Sequence, residues 1–264
     1  MLKKTIILFS LFYFYTSTSS FAVNEIAQEE NIPKSTTDEA QRLVKEGKYV
    51  EAQKEYEALL GDINLLPEDR DRILKAYEDL NLKILFSRFE TPDSSIHTVV
   101  AGDSLYEIAK KYKTTVELIK KSNGLKSDTI FPGMKLKVET GVLSIQVDKS
   151  DNILTLFLND KPVKHYRVAT GANNGTPAGQ FTIVNKLENP TWYKAGAAVP
   201  PNSPENILGT RWLGFDYPGY GIHGTTLPES IGKQVTSGCV RMFNEEVEEL
   251  YALVPTGVKV IITD

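Results

Sequence analysis

The chain has 264 residues, of which 41% are hydrophobic and 24% are charged, values typical of a globular protein with one or two domains. A formal net charge of −4 argues against nucleic acid as a partner, because phosphate backbones are bound by positively charged surfaces. The single cysteine excludes an intrachain disulfide, and three scattered histidines give no metal-ligand spacing, so neither a metal nor another cofactor is predicted.

The first 22 residues have the features of an export signal. Lysines precede an apolar run from Thr5 to Tyr15, and Ser20-Phe21-Ala22 forms a small-x-small cleavage site. The run is much shorter than the roughly 20 residues that cross a bilayer. We therefore predict a signal peptide over residues 1–22 and no stable membrane anchor after cleavage, with a permanent anchor as the alternative.

Residues 23–90 are acidic and show apolar residues at helical spacing. Pro67 stands at a predicted first helical position. The turn Gly47-Lys48-Tyr49, followed by Ala52 and Tyr56, resembles the second half of a tetratricopeptide repeat. Only one such unit is visible, and repeat proteins need about three to bury a continuous core. A helical spacer packed on a neighbouring domain is therefore favoured over a peptide-binding repeat.

A compact unit is predicted over residues 96–139. Asp103 or Ser104 can cap one helix, Thr115 can open a second, and Asn123-Gly124 can end it, with short apolar strands on both sides. The segment from His97 to Leu136 resembles a LysM module, a βααβ domain, and the resemblance implies binding to glycans that contain N-acetylglucosamine. The positive charge of this unit could dock it on the acidic helices or could simply be solvated.

Residues 142–264 are predicted to form a mainly β domain. Short apolar segments alternate with turns from Leu143 onward, and the last strand follows a helix that Asn244 is predicted to cap. Together with the preceding regions this gives a multidomain α+β protein, with a helical N-terminal region, a βααβ module and a mainly β domain.

The stretch from His223 to Met242 carries the candidate chemistry. Its Cys239 is a potential nucleophile, but a free thiol has a pKa of about 8.5 and needs a base, which His223 can supply. The backbone N–H groups of Gly238 and Cys239 could stabilise an oxyanion, and Arg241 could bind a carboxylate. The competing interpretation is that Cys239 is a small buried apolar residue.

The order of short motifs in this stretch favours the functional interpretation. They are His223-Gly224-Thr225, Ser230-Ile231-Gly232 and Thr236-Ser237-Gly238-Cys239-Val240-Arg241. Together they resemble the signature of the L,D-transpeptidase (YkuD-like) catalytic domain, and further landmarks extend the resemblance over about residues 143–262. The family most often has serine and histidine where this chain has Thr236 and Ser237, so the base is assigned to His223 alone.

The resemblance implies a peptidoglycan L,D-transpeptidase that forms a cysteine thioester and acts in the cell envelope, in the periplasm or cell wall. Its implied partners are stem peptides at the catalytic domain and glycan strands at the LysM module. A backbone carbonyl near Gly224 is the implied partner of the second imidazole nitrogen. The predicted catalytic residues are Cys239, His223, Arg241 and Gly238, and the predicted substrate contacts are Gly224, Thr225, Thr236, Ser237, Tyr220 and Trp212.

Three alternatives remain open. With water as acceptor, the same cysteine would give an L,D-carboxypeptidase, and with a protein amine it would give a protein-to-peptidoglycan ligase. The third alternative is a non-catalytic wall-binding protein that has lost its activity.

Overall fold

The computed structural model describes residues 34–194 and 196–264, and residues 35–264 form one compact unit. The predicted signal peptide lies outside the described residues and stays a prediction. Within the described ranges, no helix combines the length and the apolar character that crossing a membrane requires.

Three helices open the described chain: α1 (Lys34–Lys45), α2 (Tyr49–Leu60) and α3 (Pro67–Leu85). Pro67 begins α3 as predicted, because proline fixes a helical φ where no N–H is needed. Apolar side chains at helical spacing on all three helices close a small core of their own. Its buried members are Ala40, Leu43, Ala52, Tyr56, Ile73, Tyr77, Leu80 and Ile84.

The next segment has the predicted βααβ order: β1 (Ser94–Thr98), α4 (Leu105–Tyr112), α5 (Val116–Asn123) and β2 (Lys135–Glu139). The two strands pair antiparallel. The Ser104 hydroxyl accepts the N–H of Glu107 at 3.1 Å, and the Thr115 hydroxyl accepts the N–H of Leu118 at 2.9 Å. These two contacts cap α4 and α5 as the sequence predicts.

The rest of the chain builds a curled eight-stranded sheet. Its order is β13-β11-β10-β7-β14-β3-β4-β5, with β3 parallel to β14, β11 parallel to β13, and the other pairs antiparallel. The strands are β3 (Leu143–Asp148), β4 (Ile153–Leu158), β5 (Lys161–Arg167), β7 (Gly179–Glu188), β10 (Arg211–Phe215), β11 (Gly221–His223), β13 (Val240–Arg241) and β14 (Lys259–Thr263).

Smaller elements complete this part. They are β6 (Thr170–Gly171), which pairs with β12 (Gln234–Thr236), the hairpin of β8 (Trp192–Lys194) and β9 (Ala197–Val199), and helix α6 (Asn244–Leu253). Helix α6 packs Val247, Leu250 and Leu253 into the main core. The same core receives Leu82 and Leu85 from α3 and Leu118 from α5, so all three sequence regions contribute to it.

Helix α3 covers the open edge of the sheet at β5. The side chain of Asn81 donates to the carbonyl of Val163 at 3.0 Å, and a carboxylate oxygen of Glu78 accepts the N–H of His165 at 2.9 Å. Side chains of α3 therefore satisfy backbone groups that an unpaired edge strand would leave free for another chain.

The βααβ segment is joined to both neighbours by polar contacts. The buried ammonium of Lys137 donates to the carbonyls of Ile84 at 2.8 Å and Ser87 at 3.1 Å, at the carboxyl end of α3. The hydroxyl of Thr115 donates to the carbonyl of Ala252 in α6. A cation near the end of a helix is stabilised by the unpaired carbonyls there. The segment is thus docked on the helices and on the sheet domain.

Candidate active site

An open cavity of about 420 Å³ lies where β10, β11 and β13 end side by side. Six of the ten predicted site residues line it: Cys239, His223, Arg241, Trp212, Thr236 and Ser237. The structure thus brings the candidate nucleophile, base and anion-binding group to one cavity. Among residues 34–194 and 196–264, no group of three or more His, Cys, Asp or Glu side chains could hold a metal ion.

His223 lies on β11 and is only 2% exposed. Its Nδ1 is 2.6 Å from the carbonyl oxygen of Gly224, which is the kind of partner that the family resemblance implies. Because a carbonyl can only accept, the proton of the neutral ring sits on Nδ1 and Nε2 is left as an acceptor. Burial lowers the pKa of His223 to about 4, although the Gly224 carbonyl acts in the opposite direction. The imidazole is therefore neutral at pH 7.

The thiol of Cys239 is half-buried and donates to the carbonyl of Gly219 at 3.5 Å. Burial raises the pKa of Cys239, while the backbone N–H of Gly221 and the charge of Arg241 lower it by smaller amounts. The sequence predicts that His223 acts as the base for this thiol. In the structure, desolvation dominates, and both groups rest in their neutral forms.

Thr236 closes the turn that carries the cysteine. Its hydroxyl donates to the carbonyl of Cys239 at 2.7 Å and accepts the N–H of Gly238 at 3.1 Å. In the resting structure the N–H of Gly238 is thus engaged by Thr236 and would have to leave it to stabilise an oxyanion, so that role stays a prediction. Ser237 lies exposed on the cavity wall.

Arg241 is the only lysine or arginine among the residues that line the described cavity. Its guanidinium is buried, and Nη1 donates to the hydroxyl of Ser230 at 3.0 Å. Its Nε is buried without a hydrogen-bond partner among the described residues. A fixed positive charge with a spare donor can bind a carboxylate.

Three predicted substrate contacts lie behind the cavity wall instead of on it. Gly224 and Thr225 are buried behind the imidazole, and Tyr220 packs its ring against Tyr217, with centroids 4.8 Å apart. A Cβ at Gly238 would lie 2.6 Å from the Tyr220 ring, so the ring backs the cysteine turn. None of the three is among the residues that line the cavity, so their contact with substrate stays a prediction.

The outer wall is mostly apolar and was only partly anticipated. Trp192 and Tyr193 of the β8 strand line it, together with Leu187 and Leu208. Tyr193 is 78% exposed. The aromatic pair that follows Pro190 is a signal in the sequence, but its position on the cavity depends on the hairpin.

Asn244 does not cap helix α6 as predicted but has a different structural role. Helix α6 begins at Asn244 itself, so this residue is the first helical position and not the cap. Its side chain instead bonds to the backbone of two loops beside the site, at Thr210 and Thr225. Contacts of that range leave no local pattern in a sequence.

Comparison with known proteins gives two family matches. The model of the L,D-transpeptidase catalytic domain, YkuD, matches residues 143–262, and that of the LysM domain matches residues 97–139. YqjB of Bacillus subtilis, named as an L,D-transpeptidase, is 45% identical over 124 residues, which are 45% of this chain and 69% of YqjB.

A second relative is matched over nearly its whole length. YkuD of Bacillus licheniformis, also named as an L,D-transpeptidase, is 35% identical over 176 residues, which are 64% of this chain and 98% of that protein. Among solved structures, an L,D-transpeptidase from Mycobacterium smegmatis aligns with a TM-score of 0.41 and 18% identity, covering 50% of this chain and 64% of that one.

Proposed function

The chain belongs to the YkuD family of L,D-transpeptidases, and on that premise we propose that it cross-links peptidoglycan stem peptides through a thioester on Cys239. Its LysM domain and its L,D-transpeptidase domain both point to peptidoglycan as the partner. The observation that carries the proposal is the bond between His223 Nδ1 and the Gly224 carbonyl, 2.6 Å long. It leaves Nε2 as a base in the cavity that also contains the Cys239 thiol.

In the first half-reaction the thiol attacks the amide carbonyl that precedes the terminal D-amino acid of a tetrapeptide stem. The thiol proton passes to His223 Nε2 as the carbon–sulfur bond forms. We assign the oxyanion to the N–H of Cys239, since the N–H of Gly238 is engaged by Thr236. The imidazolium then protonates the departing nitrogen, the carbon–nitrogen bond breaks, and the D-amino acid leaves.

In the second half-reaction an amine of another stem takes the place of the lost amino acid. Neutral His223 accepts its proton as the nitrogen attacks the thioester. The carbon–sulfur bond breaks and the thiol of Cys239 recovers its proton from the imidazolium. The product is a peptide bond between the third residues of two stems.

The neutral resting pair suits this sequence of steps. A buried thiolate would need an adjacent cation, whereas a neutral thiol becomes nucleophilic only when a base accepts its proton during attack. Arg241 supplies the positive charge that can hold a substrate carboxylate in the cavity.

The supporting regions have proposed parts as well. We propose that residues 1–22 direct export, that residues 23–90 form a helical region that supports the sheet, and that residues 96–139 bind glycan strands. The domain over residues 142–264 would then act on the stem peptides outside the cytoplasm, in the cell envelope.

The test is mass spectrometry of residues 23–264 incubated with disaccharide-tetrapeptides, with Cys239→Ala as the matched control. Cross-linked dimers that form with the wild type and not with the variant support the proposal. Tripeptides alone would indicate a carboxypeptidase, and a stem attached to an added envelope protein would indicate a ligase. No change in any mixture would leave a wall-binding protein with an inert thiol.

A further inference from the structure

Asn244 connects the start of α6 to two loops at the site. Its Oδ1 accepts the N–H of Thr225 at 2.9 Å and the N–H of Thr210 at 3.3 Å. Its Nδ2 donates to the carbonyl of Thr225 at 2.9 Å. All three bonds run to backbone groups, so the side chain fixes the path of the main chain on both sides.

Two glycines make room for this amide. A Cβ at Gly209 or at Gly224 would collide with the Asn244 side chain. Any larger residue at either position would therefore push the amide away from its partners. The contact of Asn244 with the two loops therefore requires glycine at positions 209 and 224 as well as asparagine at position 244.

The bond from the N–H of Thr225 to Asn244 connects Asn244 to the candidate base His223, because the two side chains bind opposite sides of one peptide unit. The carbonyl of Gly224 accepts from His223 Nδ1, and the N–H of the same peptide, which belongs to Thr225, donates to Asn244 Oδ1. A peptide unit is planar and trans, so its N–H and C=O point in opposite directions. Fixing the N–H therefore fixes the direction of the carbonyl, and hydrogen bonds in such a chain strengthen one another.

We propose that Asn244 is a positioning residue that sets the tautomer and the orientation of His223 through the Gly224–Thr225 peptide. The proposal rests on the proposed function for its kinetic consequence, but its structural part concerns the resting protein. Without the anchor, the peptide can rotate, the carbonyl no longer selects Nδ1–H, and part of the population carries its proton on Nε2. An imidazole protonated on Nε2 cannot accept the proton of the thiol.

The test combines two substitutions with a matched control. Asn244→Ala removes the acceptor and the donor, whereas Asn244→Asp keeps the acceptor for the N–H groups of Thr225 and Thr210 and loses only the donor to the Thr225 carbonyl. Asn123→Ala is the control, because Asn123 is also a buried amide with three bonds to backbone, at Ile119 and Lys137, in the βααβ segment.

The first readout is the ¹⁵N NMR spectrum of the His223 ring, assigned by comparison with His223→Gln. We expect the Nδ1–H tautomer in the wild type, in Asn244→Asp and in Asn123→Ala, and a mixture in Asn244→Ala. The second readout is turnover of a small soluble muropeptide. We expect kcat to fall about 10- to 100-fold in Asn244→Ala with little change in KM, since misplacement of a catalytic group has effects of this size. Asn244→Asp should lose less of the rate than Asn244→Ala, because it keeps the acceptor that anchors the N–H of Thr225.

A pure Nδ1–H tautomer in Asn244→Ala would overturn the assignment, whatever the rate. The assignment would also be overturned if Asn244→Ala lost activity only in proportion to its loss of folded protein, in the same way as Asn123→Ala. If Asn244→Ala does not fold, Asn244→Ser replaces it with the same expected mixture of tautomers. If the wild type shows no turnover, the proposed function fails, while the spectra still decide the part of Asn244.

Discussion

The indole of Trp212 lies nearly parallel to the imidazole of His223, with ring centroids 6.0 Å apart and planes 20° apart. The two residues are directly opposite each other on the antiparallel strands β10 and β11. The indole N–H donates to Asn185 on β7 at 3.0 Å, which fixes the plane of the indole. Trp212 therefore holds one face of the imidazole while the Gly224 carbonyl holds its Nδ1.

Replacement of Trp212 by Ala should lower kcat about 5-fold, because an aromatic pair of this kind contributes about 1 kcal/mol. Trp212→Phe keeps a ring on the imidazole and should retain most of the rate. Steady-state kinetics on a soluble muropeptide would measure both. Trp192→Ala is the matched control, because that indole lines the same cavity while the ring that stacks on the imidazole is that of Trp212, and it should raise KM instead. Equal kinetics for the two alanine variants would mean that the stack has no separate effect.

The thiol of Cys239 should react slowly with iodoacetamide at neutral pH and should still gain reactivity above pH 9, because burial raises its pKa. A preformed thiolate–imidazolium pair would show a plateau across the neutral range. The second-order rate constant of alkylation between pH 5 and pH 10 distinguishes these cases. Cys239→Ser provides the unreactive control, and a plateau at neutral pH would show that the imidazole, not burial, determines the state of the thiol.

The acid limb of the pH–rate profile of kcat/KM should fall near pH 4, where His223 takes up a proton. An imidazole with an unperturbed pKa would place this limb near pH 6.5. The measurement is kcat/KM between pH 3.5 and pH 8, with short assays that confirm recovery after return to pH 7. A limb at pH 6 or above would show that the ring is more hydrated during turnover than in the resting structure.

Glu139 should make the protein less stable as the pH rises from about 4.5 to 7. The residue is 6% exposed, and burial raises the pKa of its carboxyl to about 7, although Lys137 at 3.6 Å acts in the opposite direction. The folded state therefore binds more protons than the unfolded state in this range, and stability is lost as the proton leaves. A shift of this size corresponds to a contribution on the order of 3 kcal/mol.

The check is urea unfolding of Glu139→Gln and of the wild type at pH 5 and pH 8. Glu139→Gln should be clearly more stable than the wild type at pH 8 and similar to it at pH 5. Glu205→Gln is a suitable control, because that side chain is 74% exposed and pairs with Lys194 at 3.5 Å on the surface. An advantage of Glu139→Gln that is the same at both pH values would contradict the argument.

Short-range patterns account for much of what the sequence predicted correctly. The caps at Ser104 and Thr115 depend on residues three positions away, and the start of α3 depends on Pro67 alone. The family resemblance predicts that Cys239, His223 and Arg241 lie together. In the structure, the parallel pairing of β11 with β13 brings the segments that carry them side by side.

The remaining features depend on packing between distant segments. Burial determines the charge state of Cys239 and His223, and burial is a property of the whole fold. Asparagine is common at helix starts, which predicts a cap at Asn244, yet the partners of its side chain lie 34 and 19 positions away in the chain. The docking of α3 on β5 likewise leaves no periodic signal in either segment.

The contacts of Lys137 with the end of α3 and of Thr115 with α6 have a further consequence for how the molecule would work on a polymer. If a flexible linker joined the sugar-binding module to the catalytic domain, the reactive thiol could reach stem peptides at many distances from the bound glycan. Here the βααβ segment contacts α3 on one side and α6 on the other, so its position relative to the cavity is fixed. In the proposed function, the distance between the bound glycan and the new cross-link is therefore set by the dimensions of the protein. The same distance would recur each time a cross-link is formed.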